Sequence, residues 1–322
     1  MRGLVAEDGR ALLRDDLPRP EPAPGEVRVR VERAGVCATD LALVAGYMDY
    51  AGVLGHEFVG VAQEGRYAGQ RVVGEINAAC GRCAACEAGW ERHCPQRSVL
   101  GILGRPGAFA EELSLPEGNL HPVAAGISPE AATFAEPLAA AFEIGEQLPL
   151  QPGERALVLG DGRLGLLCAQ VLARAGLSVE VLGRHPERAA RLGANGVPAA
   201  RALRWLEGAP SPAPAYDLVV EATGDPACLA QAFAWTRPRG TVVLKTTSAR
   251  TEGIDMSPVV IHELKLLGSR CGPFAPALSA LERGEVEVQA LIDDRFPLEQ
   301  GERALARAAE PGVLKVLIEV DP

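Results

Sequence analysis

Four cysteines within one short segment have the spacing of a metal site. Cys80, Cys83, Cys86 and Cys94 are separated by two, two and seven residues. Four thiolates arranged in this way can close a tetrahedral zinc site that leaves no coordination position open. Such a site stabilises a loop and does no chemistry, because a substrate has nowhere to bind. We therefore predict a structural zinc in a lobe that spans about residues 78–96.

Three residues outside this segment could form a second zinc site, one that reacts. Cys37 lies in Gly-Val-Cys-Ala-Thr-Asp and His56 in Gly-His-Glu, both before the four cysteines, and Glu136 lies after them in Glu-Pro-Leu. A catalytic zinc keeps three protein ligands and one open position, and a thiolate, an imidazole and a carboxylate satisfy that count. Taken singly, the three are more typical of a buried thiol, a core histidine and an acid on a helix surface. The hypothesis therefore requires that the fold bring all three together.

A glycine-rich turn predicts a dinucleotide site. Residues 157–165 read Leu-Val-Leu-Gly-Asp-Gly-Arg-Leu-Gly, so that a strand pattern runs into G-x-G-x-x-G and a helix pattern follows. In that context the first glycine permits the tight turn, the second lets the backbone approach a pyrophosphate, and the third lets the helix pack closely on the strand. The helix N-terminus supplies N–H donors and a positive dipole end. The residues assigned to cofactor binding in this turn are Gly160, Gly162, Arg163, Leu164 and Gly165.

The end of the next predicted strand indicates which cofactor binds. Enzymes that use NAD usually carry Asp or Glu at this point to bind the ribose hydroxyls. This chain instead has Gly183, Arg184 and His185, followed by Arg188. Without a carboxylate nothing repels a 2′-phosphate, and an arginine can bind one through two N–H groups. We therefore predict that NADP(H) is favoured over NAD(H), although Glu180, which lies mid-strand, is a rival acid.

Composition argues against several other classes of function. The chain has 322 residues and a formal net charge of −10 that is spread along it, which disfavours a surface for nucleic acid or for an anionic membrane. No apolar run approaches the roughly 20 residues of a membrane helix, and the acidic N-terminus is unlike a signal peptide. We therefore expect a cytoplasmic protein whose eight cysteines are thiols and metal ligands rather than disulfides.

The pattern of predicted elements indicates two domains that would position these residues. Residues up to about 125 are rich in short strand patterns, of which 26–32 is the clearest. Ser128 and Pro129 have the features of a helix start, and the helix is predicted to continue through Ala141. Strand and helix patterns then alternate, which predicts an α/β fold with a parallel sheet that has helices on both faces. The Pro-rich segment 210–214 is interpreted as a rigid loop and not as a domain linker.

Five motifs follow one another in a recognisable order. They are Cys37-x-Thr39-Asp40, Gly55-His56-Glu57, the four-cysteine lobe, Glu136-Pro137-Leu138 and the glycine-rich turn. This order, which covers essentially the whole chain, resembles that of the zinc-dependent medium-chain dehydrogenase/reductase family, the alcohol dehydrogenases. The Glu-Pro-Leu form is most similar to the sorbitol, threonine and glucose dehydrogenase branch.

The resemblance implies a domain organisation and partners. It implies a GroES-like, β-rich catalytic domain over residues 1–137, a Rossmann domain over 138–272 and a C-terminal return to the catalytic domain over 273–322. The substrate would be a small alcohol, polyol or carbonyl compound. Because the family forms dimers and tetramers, we expect a homodimer or a homotetramer.

The resemblance also implies a ligand set for the second zinc. Cys37 and His56 would bind it, with either Glu136 or Glu57 as the third ligand. Asp40 would bind the free nitrogen of His56 and so fix its tautomer.

The resemblance also implies roles for two threonines. Thr39 would bind the substrate hydroxyl and begin proton transfer, and Thr223 would lie where the backbone passes the nicotinamide ribose. One position departs from the family pattern, because Ala42 stands where many members have a relay histidine. Protons must therefore leave by another route, such as water or Glu57.

These expectations together predict a zinc-dependent oxidoreductase with one catalytic and one structural zinc per chain. It would transfer a hydride between NADP(H) and a secondary alcohol or polyol and the corresponding ketone. Two alternatives stay open. One is an NADPH-dependent aldehyde reductase that uses the same zinc. The other is a nucleotide-binding protein without catalysis that acts as a redox sensor or a structural subunit.

Overall fold

The computed structural model describes residues 1–209, 214–247 and 253–321. Contacts between Cα atoms group these residues into two units. The β-rich unit comprises Met1–Glu136 and the residues from Ile292 onward, and the parallel-sheet unit comprises Pro137–Leu291. Most of the predicted rigid loop, residues 210–213, lies outside the described residues.

The strands and helices are numbered along the chain. The strands are β1 Gly3–Glu7, β2 Arg10–Arg14, β3 Glu26–Gly35, β4 Gly52–Val53, β5 Glu57–Ala62, β6 Arg71–Gly74, β7 Asn77–Ala78, β8 Ser98–Leu100, β9 Gly104–Arg105, β10 Glu112–Pro116, β11 Leu120–Pro122, β12 Arg155–Leu159, β13 Ser178–Leu182, β14 Arg204–Trp205, β15 Tyr216–Glu221, β16 Thr236–Leu244, β17 Lys265–Gly268, β18 Ile292–Pro297 and β19 Lys315–Glu319. The helices are α1 Ala38–Val44, α2 Ala84–Glu87, α3 Pro129–Ala132, α4 Ala135–Gln147, α5 Arg163–Arg174, α6 Arg188–Gly193, α7 Pro198–Arg201, α8 Leu229–Trp235, α9 Ser257–Ile261, α10 Phe274–Glu282 and α11 Gly301–Ala308.

A seven-stranded sheet forms the centre of the β-rich unit. Its order is β11-β6-β5-β3-β19-β18, with β10 also paired to β3. The alternation predicted along β3 is confirmed, since Val27, Val29 and Val31 are buried between charged neighbours and face one side of the sheet. Because β5 and β19 both pair with β3, the start of β5 and the C-terminal strand lie on either side of the end of β3. This arrangement brings residues far apart in the sequence to one end of the sheet.

A six-stranded sheet forms the parallel-sheet unit, as the alternating pattern predicts. The order is β14-β13-β12-β15-β16-β17, and every pairing is parallel. The chain turns from one side of the sheet to the other at β12, which lies between β13 and β15. In parallel sheets of this kind, ligands bind beyond the carboxyl ends of the strands at that switch point. The glycine-rich turn follows β12 directly and therefore lies at the expected place.

One helix prediction was wrong, because the single helix expected from Ser128 through Ala141 is two helices, α3 and α4. The predicted start is confirmed, since Ser128 Oγ accepts a hydrogen bond of 3.2 Å from Ala131 N. In a continuous helix Pro137 would have to donate to the carbonyl of Thr133, but proline has no N–H group. The break places Pro137 in the first turn of α4, where a missing donor does no harm. None of the helices in the described ranges is both long and apolar enough to cross a membrane.

Candidate metal centres and cofactor site

The four cysteines of the predicted lobe come together in the β-rich unit. Their sulfur atoms all lie within 4.8 Å of one another. Cys83 precedes α2 and Cys86 lies in it, so this short helix presents two thiols 3.5 Å apart, and Cys83 Sγ lies 3.7 Å from Cys94 Sγ. Four sulfur donors at these separations have the composition of a closed zinc site.

Two thiols of this lobe, Cys94 and Cys86, have pKa values shifted in opposite directions. Cys94 is fully buried, and the backbone N–H of Cys80 points at its sulfur over 3.5 Å. That hydrogen bond is the main reason that the pKa of Cys94 is lowered to about 6. Burial and the hydrogen bond with Cys83 instead raise the pKa of Cys86 to about 11. Because zinc binds thiolates, the lowered pKa of Cys94 favours this residue as a metal ligand.

A second group of donors lies where β3, β5 and α1 meet. Cys37 Sγ, a ring nitrogen of His56 and a carboxylate oxygen of Glu57 are all within 4.8 Å of one another. Cys37 follows β3 and precedes α1, while Glu57 opens β5 opposite Gly35 in the sheet register. Glu136, the other acid considered for this site, is half-buried at the second residue of α4. Among the described residues, it is not part of this group.

Asp40 connects the two loops that carry these donors. It is fully buried, and its Oδ2 accepts a hydrogen bond of 2.7 Å from the backbone N–H of Cys37. Its Oδ1 accepts one of 3.2 Å from Gly55 and lies 3.3 Å from His56 Nδ1, close enough for an ion pair although not aligned for a hydrogen bond. Burial alone would lower the pKa of His56, but the charges of Asp40 and Cys37 outweigh it and raise that pKa well above its ordinary value. The hydroxyl of Thr39 lies close by, with Oγ1 3.8 Å from Cys37 Sγ.

A buried lysine, which was missed from the sequence, completes this group. Lys315 opens β19, is fully buried, and its Nζ forms an ion pair with Glu57 Oε2. The same Nζ donates to the carbonyl of Val36 over 3.3 Å and lies 5.4 Å from the centre of the Phe134 ring. A lysine next to the apolar run Val316-Leu317-Ile318 was the available signal, because an unpaired charge is costly to bury.

The donor set fits a zinc ion. Glu57 Oε1 is buried and has no hydrogen-bond partner in the described part of the chain, and a buried carboxylate oxygen without a partner is unfavourable unless a cation binds it. That oxygen belongs to a group that also holds a thiol and an imidazole. Thiolate, imidazole and carboxylate are the donors that protein zinc sites use.

The glycine-rich turn between β12 and α5 requires glycine at two of its three motif positions for visible steric reasons. Gly160 has a φ of +106°, and a Cβ there would lie 2.6 Å from the carbonyl oxygen of Ala222. A Cβ on Gly165 would lie 2.1 Å from the carbonyl oxygen of Gly160. Gly162 is the residue before α5, whose first residue is Arg163. The turn therefore places the N-terminus of α5 at the carboxyl edge of the sheet, and a helix N-terminus attracts an anion.

Thr223 lies in the next turn, after β15. Its N–H and its hydroxyl both donate to Glu221, over 2.8 Å and 2.5 Å, and Glu221 is itself buried. Thr223 Cα would be 3.1 Å from a Cβ on Gly160. This turn and the glycine-rich turn are therefore neighbours at the carboxyl edge of the sheet.

The residues after β13 differ in what they contact. Arg184 is exposed and makes no hydrogen bond or ion pair with any other described residue. Arg188, in contrast, is buried and pairs with Asp161, an acid inside the glycine-rich turn. Glu180 is buried in mid-strand, where it binds the hydroxyl of Tyr216 and pairs with Arg204 at 2.8 Å. The rival acid is therefore occupied by its own structural partners.

Comparison with known proteins gives the same architecture. Residues 23–125 match the family described as the alcohol dehydrogenase GroES-like domain, and residues 135–320 match the glucose dehydrogenase C-terminus. An L-threonine 3-dehydrogenase of Streptomyces avermitilis is 31% identical, with 99% of each chain covered. An alcohol dehydrogenase of Thermus sp. ATN1 superposes with a TM-score of 0.88 at 27% identity over 100% of both chains. A Sinorhizobium meliloti protein, provisionally described as a zinc-binding dehydrogenase and solved with NADP, superposes with a TM-score of 0.85 at 26% identity over 99% of both chains.

Proposed function

Because this chain belongs to the medium-chain dehydrogenase/reductase family of alcohol dehydrogenases, we propose that it is a zinc-dependent oxidoreductase. It transfers a hydride between NADP(H) and a secondary alcohol or polyol and the corresponding ketone. The observation that carries this proposal is the group of Cys37, His56 and Glu57, whose donor atoms lie within 4.8 Å of one another. In this group Glu57 Oε1 has no hydrogen-bond partner among the described residues. A group of this composition suits a metal with one open position.

In this proposal the residues of the β-rich unit hold the zinc and handle the proton. Cys37, His56 and Glu57 would hold the ion, with Glu136 as the alternative third ligand. Zinc bound there would act as a Lewis acid on the substrate oxygen. Asp40 keeps the loops of Cys37 and of Gly55 in register through its two backbone hydrogen bonds.

Thr39 is the residue that we assign to proton transfer. Its Oγ1 lies 3.8 Å from the sulfur of Cys37 and so stands beside the proposed metal position. In the oxidation direction Thr39 would accept the hydroxyl proton of the alcohol, and NADP bound at the glycine-rich turn would supply the hydride acceptor. Because Ala42 offers no acid or base in the relay position, Thr39 would pass its own hydroxyl proton on to water or to Glu57.

A substrate panel tests the reaction class. We expect turnover of secondary alcohols or polyols with NADP and of the matching ketones with NADPH. The panel should contain sugars, polyols, amino alcohols and simple alcohols, assayed in both directions by absorbance of the reduced nicotinamide. Reduction of aldehydes alone would instead support the aldehyde reductase, and binding of NADPH without any turnover would support the non-catalytic alternative.

Arg184→Ala tests the cofactor preference. Because the Arg184 side chain is exposed and free of partners among the described residues, we propose that it binds the 2′-phosphate of NADP(H). A hydrogen bond to a charged group contributes about 1.5–3 kcal/mol, so we expect NADPH affinity to fall by about tenfold or more. NADH affinity should change little, because NADH lacks that phosphate.

The measurement is a fluorescence titration of each cofactor against the wild-type protein and the variant. Arg237→Ala is the control for position in the sheet, since Arg237 is an exposed arginine at the opposite, amino-terminal edge, where it pairs with Asp217. Tighter binding of NADH than of NADPH by the wild-type protein would contradict the preference for NADP(H).

A further inference from the structure

The middle of the glycine-rich turn holds an acid that the proposed function has not used. We propose that Asp161 and Arg188 together set the cofactor selectivity: Arg188 neutralises a carboxylate that would otherwise exclude the 2′-phosphate of NADP(H). This inference rests on the proposed cofactor site, and it assigns different tasks to the two arginines after β13. Arg184 binds the phosphate, and Arg188 makes the approach of that phosphate possible.

The carboxylate of Asp161 is held by two contacts in the parallel-sheet unit. Its Oδ2 accepts a hydrogen bond of 2.6 Å from the backbone N–H of His185, and its Oδ1 lies 3.2 Å from Arg188 Nη1. The same nitrogen of Arg188 also donates to the backbone oxygen of Asp161. Asp161 is 6% exposed and Arg188 is 7% exposed. The two charges are therefore largely withdrawn from solvent. In the protein interior each of them has a stronger effect on a neighbouring charge than it would have in water.

The carboxylate lies against the end of β13. A Cβ on Gly183 would be 2.1 Å from Asp161 Cγ and 2.4 Å from Oδ2, so only glycine permits this approach. The end of this strand is where the dinucleotide fold usually places the acid that binds the ribose hydroxyls. In this chain an acid reaches the same place from the preceding turn, although the strand end itself has none.

The pairing with Arg188 decides what this acid does. An unpaired carboxylate at the ribose edge would accept a hydrogen bond from a 2′-hydroxyl and would repel a 2′-phosphate. Paired with Arg188 and bonded to His185 N, it contributes little net charge. Arg184 then places an exposed positive charge at this edge, which favours the phosphate. The exposed Glu187 nearby lies 3.2 Å from His185 Nδ1.

Arg188→Met tests the inference, with the ratio of the NADPH and NADH dissociation constants as the readout. We expect NADPH affinity to fall by about tenfold or more relative to NADH, since a bare carboxylate would then face the phosphate. The double variant Asp161→Asn with Arg188→Met should return the ratio to near the wild-type value, because it removes both charges. An equal loss of both cofactors in Arg188→Met, or a failure of the double variant to restore the ratio, would overturn the proposal.

Thermal melting of the protein without cofactor will show whether Arg188→Met folds. If it does not, Asp161→Asn alone tests the proposal. We expect Asp161→Asn to keep NADH affinity and to keep or increase NADPH affinity. A selective loss of NADH binding would overturn the proposal, because Asp161 would then be the ribose acceptor. If wild-type protein prefers NADH, the proposed preference for NADP(H) fails, yet the shift of the ratio caused by Arg188→Met still tests this inference independently.

Discussion

Cys37→Ser is expected to reduce turnover by about a thousandfold or more while the protein keeps its fold and its structural zinc. A serine hydroxyl replaces a thiolate poorly as a zinc ligand, since ligands must be deprotonated to bind the metal. Metal catalysis is worth several kcal/mol of transition-state stabilisation, and about 4 kcal/mol corresponds to a thousandfold in rate. We therefore expect Cys37→Ser to lose turnover while its fold is unchanged.

Three measurements define this result. Zinc analysis should give about two ions per wild-type chain and about one in the variant, by the ligand count of the two donor groups. Circular dichroism and titration with NADPH should match the wild type, because the glycine-rich turn lies in the other unit. Cys228→Ser is the matched control, since Cys228 is half-buried and belongs to neither of the two donor groups found among the described residues. Full zinc content together with near-normal turnover in Cys37→Ser would contradict the proposed catalytic site.

Lys315→Met is expected to lower the free energy of unfolding by about 3–5 kcal/mol, the usual result of removing one partner from a buried ion pair. Lys315 and Glu57 are both fully buried, so in the metal-free protein, in which the unfolding is measured, the variant would leave the Glu57 carboxylate without a cationic partner. Methionine preserves much of the side-chain volume, which limits the loss of packing. The decrease in the free energy of unfolding should therefore arise mainly from the unpaired charge of Glu57.

Denaturant unfolding checks this result against two comparison variants. Lys265→Met replaces an exposed lysine on β17 and should change the free energy of unfolding by no more than about 0.5 kcal/mol. Combining Lys315→Met with Glu57→Gln should recover part of the lost stability, since the second change removes the stranded charge. A loss below about 1 kcal/mol in Lys315→Met would mean that the pair is not a buried charge pair in solution.

Local motifs were predicted well because their geometry is limited by the chain itself. The four cysteines are close in sequence, so a short helix and two turns are enough to bring their sulfur atoms together. The glycine-rich turn likewise joins one strand to the next helix, and β12, β13 and α5 occur where their patterns predict them. The break between α3 and α4 was missed although Pro137 was visible, because the Ala-rich pattern was given more weight than the proline, which costs about 3 kcal/mol inside a helix.

The sequence alone determined the α/β architecture, the cysteine spacing of the lobe and the position of the glycine-rich turn, all of which depend on periodicity or short spacing. The tertiary structure decided the rest. It showed that Glu57, and not Glu136, lies with Cys37 and His56, that Lys315 pairs with Glu57, and that Asp161 occupies the end of β13 with Arg188. Each of these contacts joins residues whose separation along the chain says nothing of their distance in space. Sheet pairing brought them together, and burial then required each charge to have a partner.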